Sequence, residues 1–255
     1  MSDILLDRHG AVERIQINRP AKRNAFTTAM YAEVAAALSA AGADPAVRVV
    51  VLSGSGGCFS AGNDVQDFLQ NPPTGHDSPV WRFLEALVSM EKPLVAAVEG
   101  AAVGIGTTLL LHCDIVLAAK TARFQLPFVD LGLVPEAGSS LLLPALAGYH
   151  RAAELLMLGA PFDAETAERI GLVSRVVLPA ELIEGAMAIA EALAHKPPAS
   201  LRLTKRLLRR GTQALLAEAM REEGRLFTDR LTSAEAREAL TAFLEKRKPD
   251  FSRFA

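Results

Sequence analysis

The chain has 255 residues, enough for one large domain or one domain with a smaller appendage, and half of them are hydrophobic, so a substantial core can form. A formal net charge of −2 speaks against a surface built for nucleic acid. Two cysteines, Cys58 and Cys113, are too few for a disulfide framework, and five scattered histidines form no zinc spacing, so both cysteines are expected reduced and no metal is expected.

In chain order, ILLDR and VERIQIN alternate around His9–Gly10 and predict a hairpin. TTAMYAEVAAALSAAGAD has helical periodicity, with Thr27 or Thr28 as its N-cap and Gly42 near its end. VRVVVLSG reads as a buried strand. A helix from about Val80 to Met90 leads to the strand PLVAAVEG, a glycine-rich turn, the helix IGTTLLLH and the strand DIVLAA. A strand–turn–helix unit thus recurs three times, which predicts an α/β fold with strands buried against helices.

Beyond about residue 145 the pattern turns helical over 151–158, 163–170, 180–195, 198–210 and 213–247, apart from the strand SRVVL at 174–178. KPPAS at 196–200 is the best boundary candidate, dividing the chain into 1–196 and a helical 197–255. LRLTKRLLRR (201–210) reads as a solvated helix face. The polar, proline-rich loop LQNPPTGHDSP (69–79) could cover a binding site or be a surface excursion. The longest apolar run, Leu94 to Ala119, carries Glu99, His112, Asp114 and three glycines, too costly for lipid, and MSDILLDRHG does not read as a signal peptide. The expectation is a soluble, cytoplasmic protein.

Two glycine-rich turns follow predicted strands: GSGGCFSAGND (54–64) and GAAVGIGTT (100–108). Neither completes a GxGxxG, and GxxxxGK[ST] and GxSxG are missing, so a nucleotide loop and a nucleophile elbow are both disfavoured. Such turns can aim one backbone N–H each at a single oxygen, as an oxyanion hole does, or they can be tight turns with no ligand. VDLGLVPEAGSSLLLP (129–144) sets a carboxylate, Glu136, among apolar, glycine, serine and proline residues. That setting suits a general base with a raised pKa. It equally suits a helix start, with Pro135 in the first turn and Glu136 at the positive end of the dipole.

The segments RPAKRNAF, CFSAGND, EGAAVGIGTTLLLHCDIVLA and FVDLGLVPEAGSSLLLP, in that order, resemble the crotonase, or enoyl-CoA hydratase/isomerase, superfamily. The resemblance implies a spiral of ββα units with a C-terminal helical oligomerisation region, and a homotrimer or dimer of trimers. It also implies an acyl-CoA substrate, with coenzyme A as part of that substrate and no separate cofactor. The thioester oxygen would take the N–H groups of Asn63 and Ile105. Where hydratases of the family carry two glutamates, this chain has Thr108 and Phe128, and neither can act as a base at neutral pH. Glu136 instead matches the single glutamate of the family's 3-enoyl-CoA to 2-enoyl-CoA isomerases. Arg19, Lys22 and Arg23 are candidates for the coenzyme A phosphates, Ala25 and Asp64 lie where the family cradles the adenine end, and Ala61 is a further candidate to bind coenzyme A. Asp67 and Phe68 are expected along the acyl tunnel, and His112 and Trp81 in the packing. Other chemistry of the superfamily, including hydration, thioester hydrolysis or dehalogenation, and a non-catalytic acyl-CoA-binding relative stand as alternatives.

Overall fold

The computed structural model describes residues 2–72, 75 and 77–254. β1 (Ile4–His9) and β2 (Val12–Ile17) form the expected antiparallel hairpin, closed by Gly10 in a left-handed conformation. α1 (Thr28–Ala43) is capped by Thr27, whose Oγ1 accepts from the Met30 N–H. β3 (Val49–Gly54) is followed by α2 (Val65–Gln70), a short helix with no counterpart in the sequence reading, and by α3 (Pro79–Ser89). Then come β4 (Leu94–Val98), β5 (Ala101–Val103) and α4 (Ile105–Thr108), which tightens into a 3₁₀ turn ending at His112. β6 (Ile115–Ala119), β7 (Arg123–Gln125), α5 (Ser139–Ala147) and α6 (Tyr149–Leu158) follow. β8 (Phe162–Asp163), α7 (Ala164–Arg169), β9 (Arg175–Val177) and α8 (Leu182–Ala194) lead to α9 (Pro198–Arg209), α10 (Gln213–Leu231) and α11 (Ala234–Leu244).

The expected ββα spiral is present. One sheet runs β1-β2-β3-β4-β6-β9, parallel except for the hairpin, and a small second sheet runs β5-β7-β8. Successive turns of the chain therefore add one strand to each sheet: β4 then β5, β6 then β7. The turn that starts at β3 adds only a single bridge, Ser60 to Ala102. These second strands are two or three residues long, too short to show a period of their own.

The large sheet is buried on both faces, which explains its unbroken apolar strands. Val50, Leu52, Ala96 and Val98 point into the main core, while Val49, Val51, Val95 and Ala97 pack under Leu182, Ala186 and Ala190 of α8. The predicted helical stretch 213–247 is two helices, because Ser233 caps a new start and accepts from the Ala236 N–H. α10 and α11 supply Met220, Phe227, Leu231, Ala236 and Leu240 to the main core.

The solvated-face expectation for 201–210 holds for Arg202, Arg206 and Arg210, which are exposed, and fails at Lys205. Lys205 is buried on α9, donating to Asp114 Oδ2 at 2.7 Å and to the Lys92 carbonyl at 2.8 Å, while Leu207 and Leu208 stand exposed. Helical spacing does not mark which single basic residue turns inward; Lys205 does so because Asp114 and the Lys92 carbonyl accept from its ammonium group. Cys58 and Cys113 are free thiols, buried and half-buried. Part of the proline-rich loop 69–79, namely residues 73, 74 and 76, lies outside the described residues. Among the described residues no helix is long and apolar enough to cross a membrane.

Candidate active site

Glu136 does not open a helix. α5 begins at Ser139 with Gly138 in the N-cap position, so the helix-start expectation for Pro135 and Glu136 is corrected. Two consecutive left-handed residues, Ala137 (φ 60°) and Gly138 (φ 73°), turn the chain there. A left-handed alanine is strained and persists only where its surroundings hold it. Several contacts hold this one. His112 Nε2 donates to the Ala137 carbonyl at 2.7 Å, which fixes the proton on that nitrogen because a carbonyl can only accept. The N–H groups of Gly138 and Ser140 donate to Glu223 at 2.6 and 2.8 Å. Ser139 Oγ donates to the Glu136 carbonyl at 2.7 Å.

The corner turns the Glu136 side chain toward a cavity of about 310 Å³, walled by Phe68, Trp81, Leu84, Met220 and Phe227. The side chain is 8 % exposed, and its Oε1 has no hydrogen-bond partner. Burial, reinforced by the negative charge of Glu223, pushes the carboxyl up to about 8. The nearby His112 is pushed down to about 4, chiefly by burial, and is therefore neutral at physiological pH. Tyr31 is fully buried in an aromatic cluster with Phe26 and Phe83, and its hydroxyl donates to Asn63 Oδ1 at 2.5 Å. Burial and then the charge of Glu136 raise its pKa, so the Asn63 side chain is tied to a phenol that feels Glu136.

The two glycine turns lie against each other. Ser60 N–H donates to the Ala101 carbonyl, and Val103 N–H donates to the Ser60 carbonyl, both at 2.9 Å. Gly62 is left-handed at φ 89°, and a Cβ there would stand 2.9 Å from the Val103 carbonyl oxygen. A Cβ on Gly106 would stand 2.8 Å from the Ser60 carbonyl oxygen. This close approach is what glycine permits. Asn63 and Ile105 follow these turns directly, and among the described residues neither amide has a backbone acceptor. Ile105 and Asn63 are not part of the cavity wall that Glu136 and Phe68 share.

The candidate phosphate residues divide. Arg19 is committed to Asp64 at 2.7 Å and to the Ala25 carbonyl at 3.1 Å, so it braces the loop. Asp64 accepts from the Gln66 and Asp67 N–H groups as the N-cap of α2, and with Arg19 this holds it below its ordinary value against burial. Lys22 and Arg23 are exposed and form no ion pair among the described residues. Ala25 is buried, and the Ala61 N–H donates to the Arg23 carbonyl at 2.9 Å. Asp67, expected along the acyl tunnel, does not line the cavity at Glu136; its Oδ2 accepts from the Thr28 N–H and hydroxyl, tying α2 to the start of α1. Trp81 packs against the main core as expected and is also a wall of the cavity, which Gly75 and Ser78 of the proline-rich loop reach too. Thr108 and Phe128 are buried, neither lines the cavity, and neither has a carboxylate to offer.

Sequence reasoning missed Asn24, Tyr31 and Glu223. Asn24 is fully buried and donates to the Ser55 and Cys58 carbonyls, pinning the first glycine turn to the 19–25 loop. Glu223 sits in REEGR, where two acids and two bases crowd a helix and nothing marks the one that faces inward.

The chain matches the family model for enoyl-CoA hydratase/isomerase over residues 7–253. It belongs to that family. A 2,3-dehydroadipyl-CoA hydratase of Escherichia coli (strain K12) is 35% identical over 98% of this chain and 99% of its own length. A 1,2-epoxyphenylacetyl-CoA isomerase of the same strain is 36% identical over 99% of each chain. The solved structure of Pseudomonas aeruginosa OdaA is 46% identical, covers 96% of this chain and 99% of that one, and superposes with a TM-score of 0.94. The family's relatives carry both hydratase and isomerase names, so membership leaves the particular reaction to the residues of the site.

Proposed function

We propose that this member of the family shifts the double bond of a 3-enoyl-CoA into conjugation as the 2-enoyl-CoA, with Glu136 as the sole proton carrier. One observation carries this: among the described residues Glu136 is the buried carboxylate left with an unpartnered oxygen, and it borders a largely apolar cavity. The motif resemblance supports it, since Thr108 and Phe128 fall at the positions that answer to the two acids of hydratases and carry no carboxyl. Ionised Glu136 takes the proton from the carbon beside the thioester. The electron pair spreads onto the thioester oxygen, where the N–H groups of Asn63 and Ile105 would hold it. Protonated Glu136 returns the proton to the γ-carbon, and the thioester carbonyl re-forms. Nothing is added or lost, so one group suffices. Lys22 and Arg23 are the cations free for the phosphates of coenzyme A.

Hydration is the second reading, favoured by the names of several relatives and by a second acid, Glu223, beside Glu136. Against it, both oxygens of Glu223 are taken by backbone N–H groups, and Glu223 is not among the cavity-lining residues. The test is ultraviolet absorbance with each substrate in turn. The isomerase gains conjugated-thioester absorbance on 3-enoyl-CoA and leaves 2-enoyl-CoA unchanged. Loss of absorbance on 2-enoyl-CoA, with no gain on its isomer, would replace it with hydration.

A base must be ionised to accept a proton. With Glu136 near 8, kcat/KM should climb about tenfold per pH unit below that value and level off above it. A profile already flat from pH 6 to 9 would show that another group limits the reaction.

A further inference from the structure

Glu223 is an acid that the proposed reaction does not use. It lies on α10 at 6 % exposure, and it spends both oxygens on the amides at the start of α5: Oε2 takes the Gly138 N–H at 2.6 Å and Oε1 the Ser140 N–H at 2.8 Å. α5 has no side-chain cap of its own, so this distant carboxylate satisfies donors that a serine or asparagine would ordinarily meet. The same helix face packs onto the corner itself. A Cβ added to Gly138 would stand 2.3 Å from Leu216 Cδ1 and 3.4 Å from Met220 Cγ, and positions 216, 220 and 223 share one side of α10. A neutral cap would hold the helix start without placing a second buried acid near Glu136, so capping alone does not account for a glutamate here.

We infer that Glu223 is the positioning residue of the active-site turn: its grip on Gly138 and Ser140 fixes the left-handed corner that directs the Glu136 carboxyl into the cavity. The inference rests on Glu136 being the base. Its second consequence is electrostatic: burial raises the proton affinity of Glu223 too, the Ser140 and Gly138 N–H groups oppose that by favouring its charged form, and the Glu223 charge adds to burial in raising the proton affinity of Glu136. The other groups around Glu136 do not duplicate that role. Tyr31 from α1 is held well above its ordinary value by burial and stays neutral. His112 faces the Ala137 carbonyl in neutral form, with Lys205, Arg209 and Asp114 behind it. Arg221, Arg225 and Asp229 of α10 stand around the cavity, with Arg225 engaged by Glu222 and Asp229.

The test compares full-length Glu223→Gln, Glu223→Asp and Glu136→Gln with the parent enzyme. Two readouts are used: the pH profile of turnover, and infrared titration of the carboxyl band that Glu136→Gln removes. Glutamine presents an N–H₂ where one amide needs an acceptor, so Glu223→Gln should lose about ten- to a hundredfold in kcat on the alkaline plateau, with KM little changed. Removing the like charge should also move the Glu136 midpoint down by about one pH unit. Glu223→Asp keeps the charge and should leave the midpoint in place while restoring part of kcat. Wild-type kcat and an unmoved midpoint in Glu223→Gln would overturn the inference. So would equal losses in both variants, tracking a lowered melting temperature with the midpoint unmoved. Since the infrared band reads the carboxyl and not the turnover, wild-type kcat with an unmoved midpoint in Glu223→Gln, alongside an inactive Glu136→Gln, sinks this inference alone. Full activity in Glu136→Gln sinks the base assignment and this inference with it.

Discussion

Glu136→Gln should lose at least about 10²–10⁴ in kcat while binding acyl-CoA as the parent does. The amide keeps the shape of the side chain and cannot take a proton, so the loss isolates the chemical step from substrate recognition. Stability should move the other way with pH. A carboxyl raised to about 8 in the fold and ordinary when unfolded binds more protons folded than unfolded between those values. Folding stability attributable to Glu136 is therefore present at acid pH and is lost as pH rises toward 8. The glutamine variant escapes that loss, so its melting temperature at pH 8 should not fall below the parent's. Stopped-flow turnover on 3-enoyl-CoA, calorimetric binding of a saturated acyl-CoA and thermal melts at pH 6 and 8 check the three parts. A variant that turns over within threefold of the parent would remove Glu136 from the mechanism.

Gly62→Ala should cost about a hundredfold in kcat. Gly62 precedes Asn63, whose amide is one of the two proposed donors to the thioester oxygen, and it sits at φ 89° with the Val103 carbonyl where a Cβ would go. An alanine here must push the first glycine turn away from the second. A displacement of about an ångström is enough for a loss of that size when two donors converge on one oxygen. Backbone strain by itself is controlled for by Gly57→Ala. Gly57 is also left-handed, at φ 71°, but its Cβ would meet nothing within 4 Å. Both variants should lose about 1–2 kcal/mol of stability from the left-handed alanine, and only Gly62→Ala should lose the catalytic factor as well. Equal turnover in the two would mean that the contact between the glycine turns does not set the geometry of the reacting oxygen.

Much of the fold is legible in the sequence. The hairpin around Gly10, the Thr27 cap, the strands of the large sheet and the helices after residue 145 follow from local chemistry: turn glycines, capping hydroxyls and apolar spacing act within a few residues. The short strands β5, β7 and β8 did not show, since they exist only through pairing with one another. The solvated face of α9 is legible in its charge pattern, but the one buried cation, Lys205, is not, because Asp114, far along the chain, decides that it turns inward.

The site divides along the same line. Glu136, the two glycine turns and the missing acids at 108 and 128 are statements about residue types in order, and residue order is what a sequence holds. Whether Glu136 opened a helix or bordered a cavity was beyond it. That was decided by His112 and Glu223, which reach the corner from the second glycine turn's helix and from α10 and hold Ala137 in a conformation no local preference would choose. The proton affinity of a carboxyl depends on what surrounds it in space, on lost water and a neighbouring charge, and only the packed chain brings those neighbours to it.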